Sequence, residues 1–166
     1  MRSSDLVISD NDGVCTVRVC GRANFEYAVP LREIAKSSGV LKRLVIDLGR
    51  CTAMDSTFMG VLTMLALKSR RDRTEMSLCN ANSTLQKLLR DLGVIKLFTF
   101  TEESPSPLPD AAAADAASPE LLDTAETVSE AHKTLIGAAP ENLDKFRDVV
   151  AFADADVERL KKKDRE

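Results

Sequence analysis

The segment RLVIDLGRCTAMDSTFMGVLTMLAL, residues 43–67, decides how the rest of the chain is read. Leu44-Val45-Ile46 is an apolar, β-branched run flanked by charge, the pattern of a strand buried on both faces. Gly49 breaks that run, and Asp55-Ser56-Thr57 supplies the short polar side chains that cap a helix N-terminus. Beyond the cap, Met59, Leu62, Leu65 and Ala66 recur with the spacing of one helix face. The segment therefore predicts a strand, a tight polar loop and a helix whose first residue is a hydroxyl. That places Ser56 where free backbone N–H groups and the helix dipole favour an anion.

Upstream, Leu6-Val7-Ile8 reads as a short strand and Asn11-Asp12-Gly13 as a hairpin turn. Val14 to Cys20 alternates, with Cys15, Val17 and Val19 on one side and Thr16 and Arg18 on the other, a half-buried strand. Gly21 to Asn24 leaves that strand for a helix that runs to about Ser37 despite Pro30 near its middle. Downstream, the organising helix ends in Lys68, Arg70, Arg71 and Arg73, which suits a helix C-terminus. Met76 to Cys79 forms a further strand. Asn82 caps a helix with Leu85, Leu88, Leu89 and Leu92 on its apolar face, and Gly93 ends it. Val94-Ile95 and Leu97 to Phe100 are expected to supply the last strand. Such an order gives an α/β (α+β) fold, a mixed sheet flanked by helices.

From Glu103 to Glu120 the sequence ESPSPLPDAAAADAASPE is dominated by proline, serine and alanine, a flexible or extended linker. Leu121, Ala125, Val128, His132 and Leu135 then follow at helical spacing, and Gly137 and Pro140 interrupt it. Leu143, Phe146, Val150, Ala153, Val157 and Leu160 resume it up to Lys161-Lys162-Lys163. The organisation is thus 1–102, 103–120 as linker, and 121–163 as a C-terminal helical hairpin. Two helices alone bury too little, so the hairpin must dock on the front domain, a second copy or a partner. Charge is uneven: residues 1–102 hold 15 Lys+Arg against 11 Asp+Glu, and residues 103–166 hold 8 against 15. The acidic tail is expected to dock on the basic front.

Composition excludes several classes. Hydrophobic content is 44% and charge 30%, as in an ordinary folded protein. No apolar run approaches the roughly 18 residues of a membrane span, and the acidic start MRSSDLVISDNDG is unlike a signal peptide. Cys15, Cys20, Cys51 and Cys79 lack CxxC pairing and lie in or beside strands, which reads as reduced core thiols in a cytoplasm and not a zinc site. With one histidine and no GxxxxGK[ST], HExxH or GxSxG, the usual catalytic toolkits are missing, and no cofactor or metal is expected.

Residues from about Asp5 to Thr101 resemble a STAS domain, the fold of anti-sigma factor antagonists and of the cytoplasmic ends of sulfate transporters. The segment LVIDLGRCTAMDSTFMGVL carries the resemblance. It is similar to the family's apolar strand, Asp-Leu, short loop, and Asp-Ser-Ser/Thr-Gly-Leu-Gly. Asp47-Leu48 match the strand end, Asp55-Ser56-Thr57 the switch triplet, and Gly60 the second glycine. Phe58 stands where the family has glycine and Met59 where it has leucine. The resemblance implies a bacterial, cytoplasmic regulator of transcription. Its unphosphorylated form would bind an anti-sigma factor that is also a serine kinase, which phosphorylates Ser56, with Thr57 as a second acceptor. The binding face would comprise Asn24, Phe25, Thr52, Met54, Asp55, Ser56, Thr57, Phe58 and Met59, where Phe58 would alter the kinase's approach or place an apolar anchor.

Blander readings stand beside these. Ser56 could instead be a plain helix cap, and Asp55 could orient the serine or share the capping. Asp47 lacks the acidic pair and lysine of a receiver domain. His132 faintly suggests a phosphotransfer helix, but its position on an apolar seam suits a packed histidine better. Lys68 to Arg73 has no aromatic residues interleaved for nucleic-acid stacking. From another class comes a scaffold in which the C-terminal helices form a homodimer or hold partners.

Overall fold

The computed structural model describes residues 5–37, 39–102, 112–113 and 120–165. β1 (Asp5–Asn11) and β2 (Val14–Ala23) form an antiparallel hairpin whose register closes at Asn11 and Val14. Asp12 and Gly13 both have positive φ (53° and 82°), the two-residue turn whose twist matches paired strands. α1 (Phe25–Lys36) follows, capped by Asn24 Oδ1, which accepts from the Glu26 N–H at 3.0 Å. β3 (Arg43–Met54) lies parallel between β2 and β4 (Glu75–Cys79), and α2 (Ser56–Asp72) connects β3 to β4. α3 (Ser83–Asp91) and β5 (Phe100–Thr101) complete the sheet on that side. The sheet order is β5-β4-β3-β2-β1-β6, mixed and flanked by helices.

β3 behaves as its sequence demands: Leu44, Ile46 and Leu48 are at most 1% exposed, and Val45, facing the other way, is 7% exposed. Three expectations need correction. First, the strand does not stop at Gly49. It runs to Met54, pairing with Gly21–Ala23 of β2 after register shifts, with Gly21 at φ 79°. The stretches 21–23 and 51–54, expected as loops, are strand. Second, Ile95–Leu97 forms a 3-10 turn and only Phe100–Thr101 pairs with β4. Of the apolar residues in 94–100 only Val94 is fully buried, and a turn with a short strand carries them, a distinction that apolarity alone does not make. Third, within the expected linker Ala112–Ala113 forms β6 on the β1 edge, antiparallel to Val7–Ile8. The remaining linker residues except Glu120 lie outside the described ones.

α4 (Leu121–Ala138) and α5 (Leu143–Asp164) are joined by a 3-10 turn, Pro140–Asn142. α4 packs across α1 and α2, and α5 packs on α4. Ala131 and Leu135 are fully buried in the same core as β3 and α2. Buried Asn142 fastens the turn, its Nδ2 donating to the carbonyls of Leu92 and Leu135, each at 2.9 Å. The four cysteines are free, and burial pushes the Cys15 thiol up to about 11, so it stays protonated in the core. Among the described residues, no helix is long and apolar enough to cross a membrane.

Candidate functional site

The N-termini of α1 and α2 lie side by side, because the Asp55 N–H donates to the Ala23 carbonyl at 3.0 Å. Asp55 is the cap of α2: its Oδ1 accepts from the Phe58 N–H at 2.8 Å. Burial raises the Asp55 carboxyl above its ordinary 3.8, while the N–H groups of Phe58 and Phe25 work against that rise. Ser56 is therefore the first helical residue and not the cap, and its hydroxyl is left for another partner.

That partner is His132, 76 positions away on α4. Ser56 Oγ lies 2.8 Å from His132 Nε2, and His132 Nδ1 lies 2.7 Å from the Val128 carbonyl. A carbonyl only accepts, so Nδ1 carries the proton, Nε2 is a bare acceptor, and Ser56 donates to it. The imidazole is 2% exposed and stands edge-on to Phe146, with ring centroids 4.8 Å apart. Burial lowers its pKa from the ordinary 6.5, against the opposing pull of the Val128 hydrogen bond and the Asp55 charge. His132 is neutral at pH 7. A cavity walled by Ile34, Leu41, Leu65 and Thr74 lies away from this pair, near the opposite end of β3.

α4 is seated by two further contacts. A Cβ on Gly60 would fall 2.5 Å from the Ala131 carbonyl oxygen, so glycine is what lets α2 and α4 touch. Arg32 of α1, 3% exposed, reaches Glu130 through Nε at 2.6 Å and Glu126 through Nη2 at 3.0 Å. Lys36 adds a contact to Glu130 at 3.0 Å.

The expected binding residues divide by burial. Thr52 and Phe25 are exposed, and Asn24, Asp55 and Ser56 are half-buried around them. Met54, Thr57, Phe58 and Met59 are buried, Phe58 completely. Phe58 is a core residue and not an anchor on a face, because the helical turn after Asp55 directs it inward. Thr57, at 6% exposure, is likewise turned away from any second-acceptor role on the surface. The sequence reading missed Arg32, Glu126 and Glu130 as a cluster and Gly60 with Ala131 as a close approach. It placed His132 on an apolar seam, where it lies, but nothing in the spacing connected it to Ser56. Asp47 is occupied structurally, accepting from the Gly49 N–H at 2.9 Å and facing Arg18.

The STAS domain model matches residues 6–106. The chain belongs to the STAS domain family. α4 and α5 lie beyond the matched residues. No curated protein matches the chain. Among solved structures, this STAS chain is similar to a sulfate transporter family protein from Wolinella succinogenes, at 18% identity and TM-score 0.50. That match covers 56% of this chain and 80% of the other. It is also similar to the anti-sigma factor antagonist SpoIIAA in its unphosphorylated form, at 14% identity and TM-score 0.50, over 61% of this chain and 89% of that one. At these identities the likeness shows the STAS fold.

The site's pH response follows from the only histidine in the chain. Its folded-state pKa lies below the unfolded one, so unfolding takes up a proton in that window and stability falls as pH drops below 6.5. Glu130 adds a loss of the same sign only below its ordinary 4.5. There burial alone would raise the carboxyl, but Arg32 and Lys36 together outweigh it. Asp55, with a raised pKa, acts in the opposite sense in its own range near 3.8. Urea midpoints measured at about pH 7.5 and 5.5 should therefore fall with acidification, and His132→Gln should flatten that difference.

Proposed function

We propose that this STAS chain is a phosphorylation-controlled protein-binding switch, an anti-sigma factor antagonist. While Ser56 is unphosphorylated, it binds an anti-sigma factor that is also a serine kinase. The observation that carries this reading is the placement of Ser56: first residue of α2, directly after a capping Asp55, half-buried beside the exposed Thr52 and Phe25. The motif Asp55-Ser56-Thr57 supports it from the family side, as does the likeness to SpoIIAA, an anti-sigma factor antagonist in its unphosphorylated form.

Phosphorylation joins Ser56 Oγ to the γ-phosphorus of ATP, ADP departs, and the hydroxyl proton passes to the kinase's base. The product carries about −1.5 to −2 charge at pH 7. Placed beside Asp55, that charge repels a partner surface fitted to a neutral hydroxyl, while the α2 N-terminus tolerates it. The chain acts by binding and needs no catalytic group of its own. A homodimer through the C-terminal helices would draw on α5, whose Phe152 is 74% exposed, because Ala125, His132 and Leu135 of the α4 seam are buried within the chain and only Leu121 at its start is exposed.

Phosphopeptide mapping of the protein from its own cells at several growth stages tests the reading. Phosphate on Ser56 that varies with condition is the expected result. Its absence under every condition, with the peptide well covered, would overturn the switch.

A further inference from the structure

We propose that α4 and α5 form an intramolecular latch over Ser56, and that a phosphoryl group on Ser56 and the docked latch exclude one another. The inference rests on the reading of Ser56 as the modified residue and assigns the regulation of that residue to the part of the chain beyond the STAS match.

The argument is one of donors and acceptors. In the docked form the Ser56 hydroxyl proton points to His132 Nε2 at 2.8 Å, and Nε2 is a bare lone pair because the Nδ1 proton is held by the Val128 carbonyl at 2.7 Å. Phosphorylation removes that hydroxyl proton and replaces it with a group that is mostly dianionic at neutral pH and then offers acceptor oxygens alone. Acceptor then faces acceptor. The groups around the imidazole do not relieve this: Asp55 brings a further carboxylate, and Phe146 from α5 offers only an aromatic ring. Space is equally short, since α4 rides on Gly60 so closely that one added carbon would meet the Ala131 backbone.

The same geometry makes α4 a competitor of any partner that recognises the unmodified hydroxyl. A partner must displace the latch to reach Ser56, and α4 covers it by reading the same chemical feature, a serine that can donate. Charge helps the latch to re-seat, through Arg32 and Lys36 on the STAS side and Glu126 and Glu130 on the helix.

The test uses hydrogen exchange of the full chain in three forms: unmodified, carrying phosphoserine incorporated at position 56 during translation, and Gly60→Ala. In the phosphoserine form, peptides from 121–164 should exchange at least about tenfold faster while β3 and α2 keep their protection. Gly60→Ala should do the same without touching Ser56, because alanine is the better helix former and its closest new contacts all fall on Ala131 of α4. Unchanged or increased protection of α4 in the phosphoserine form would overturn the proposal, the increase marking an imidazolium that pairs with the phosphate. Loss of protection across β3 and α2 as well, in either altered form, would overturn it too, by making α4 an inseparable part of the core. No kinase enters this test, so its outcome is separate from whether cells phosphorylate Ser56. A chain never phosphorylated in cells would sink the switch and leave the exchange result standing.

Discussion

Phe58→Ala is expected to lower the unfolding free energy by about 3–5 kcal/mol, read as a fall in the denaturant midpoint with little change in m. The ring is completely buried and belongs to the core cluster that also holds Leu48, Leu62 and Leu135. Its truncation loses the transfer free energy of the aromatic side chain and leaves a cavity that a closely packed interior only partly closes. The backbone has no reason to move, because the Phe58 N–H stays bonded to Asp55 Oδ1. A surface anchor would behave differently: the midpoint would stay within about 0.5 kcal/mol and only partner binding would suffer. A midpoint shift that small would remove Phe58 from the core and restore it to a binding face. The residue that departs from the family glycine would then be functional and not structural.

The contrast between Phe58 and Ser56 shows what the chain of letters carries. β3 was legible because three consecutive branched or long apolar residues flanked by charge have few other uses, and the start of α2 because Asp-Ser-Thr is local capping chemistry. The Asp12-Gly13 turn was legible for the same reason. Direction was harder. Two neighbours on a helix, Ser56 and Phe58, point to different sides, and no pattern over three residues says which one meets solvent. The end of β3 was misread because Gly49 breaks an apolar run without breaking a hydrogen-bonded ladder, and Gly21 on the neighbouring strand absorbs the mismatch. The seam of α4 was visible as a 4-3-4-3 repeat, yet its partner was not, since a helix face says that it is covered and not by what. His132, Arg32 and Gly60 acquire their roles only when α4 lies on α1 and α2. Charge asymmetry hinted at that docking in sign alone.

Arg32→Ala is expected to cost about 2–3 kcal/mol in the full chain. Glu126 and Glu130 are one helical turn apart on α4 and so present their carboxylates together. Arg32 answers both, Nε and Nη2 gripping Glu130 at 2.6 and 3.1 Å and Nη2 also meeting Glu126 at 3.0 Å. Removing one side of a fully buried pair costs about 3–5 kcal/mol, but these glutamate side chains are 25% and 34% exposed, and water repairs part of the loss. Arg32→Lys should rescue little, because a point charge cannot span both carboxylates in the fork geometry. Converting both glutamates to glutamine in the Arg32→Ala chain should recover much of the deficit by removing the stranded charges. Urea unfolding of the parent, Arg32→Ala, the double-glutamine chain with Arg32 retained and the combined chain forms the cycle that checks this. A single variant within about 0.5 kcal/mol of the parent would mean that the cluster only orients α4. The fully buried Ala131 and Leu135 then hold the helix in place, and docking should survive high salt.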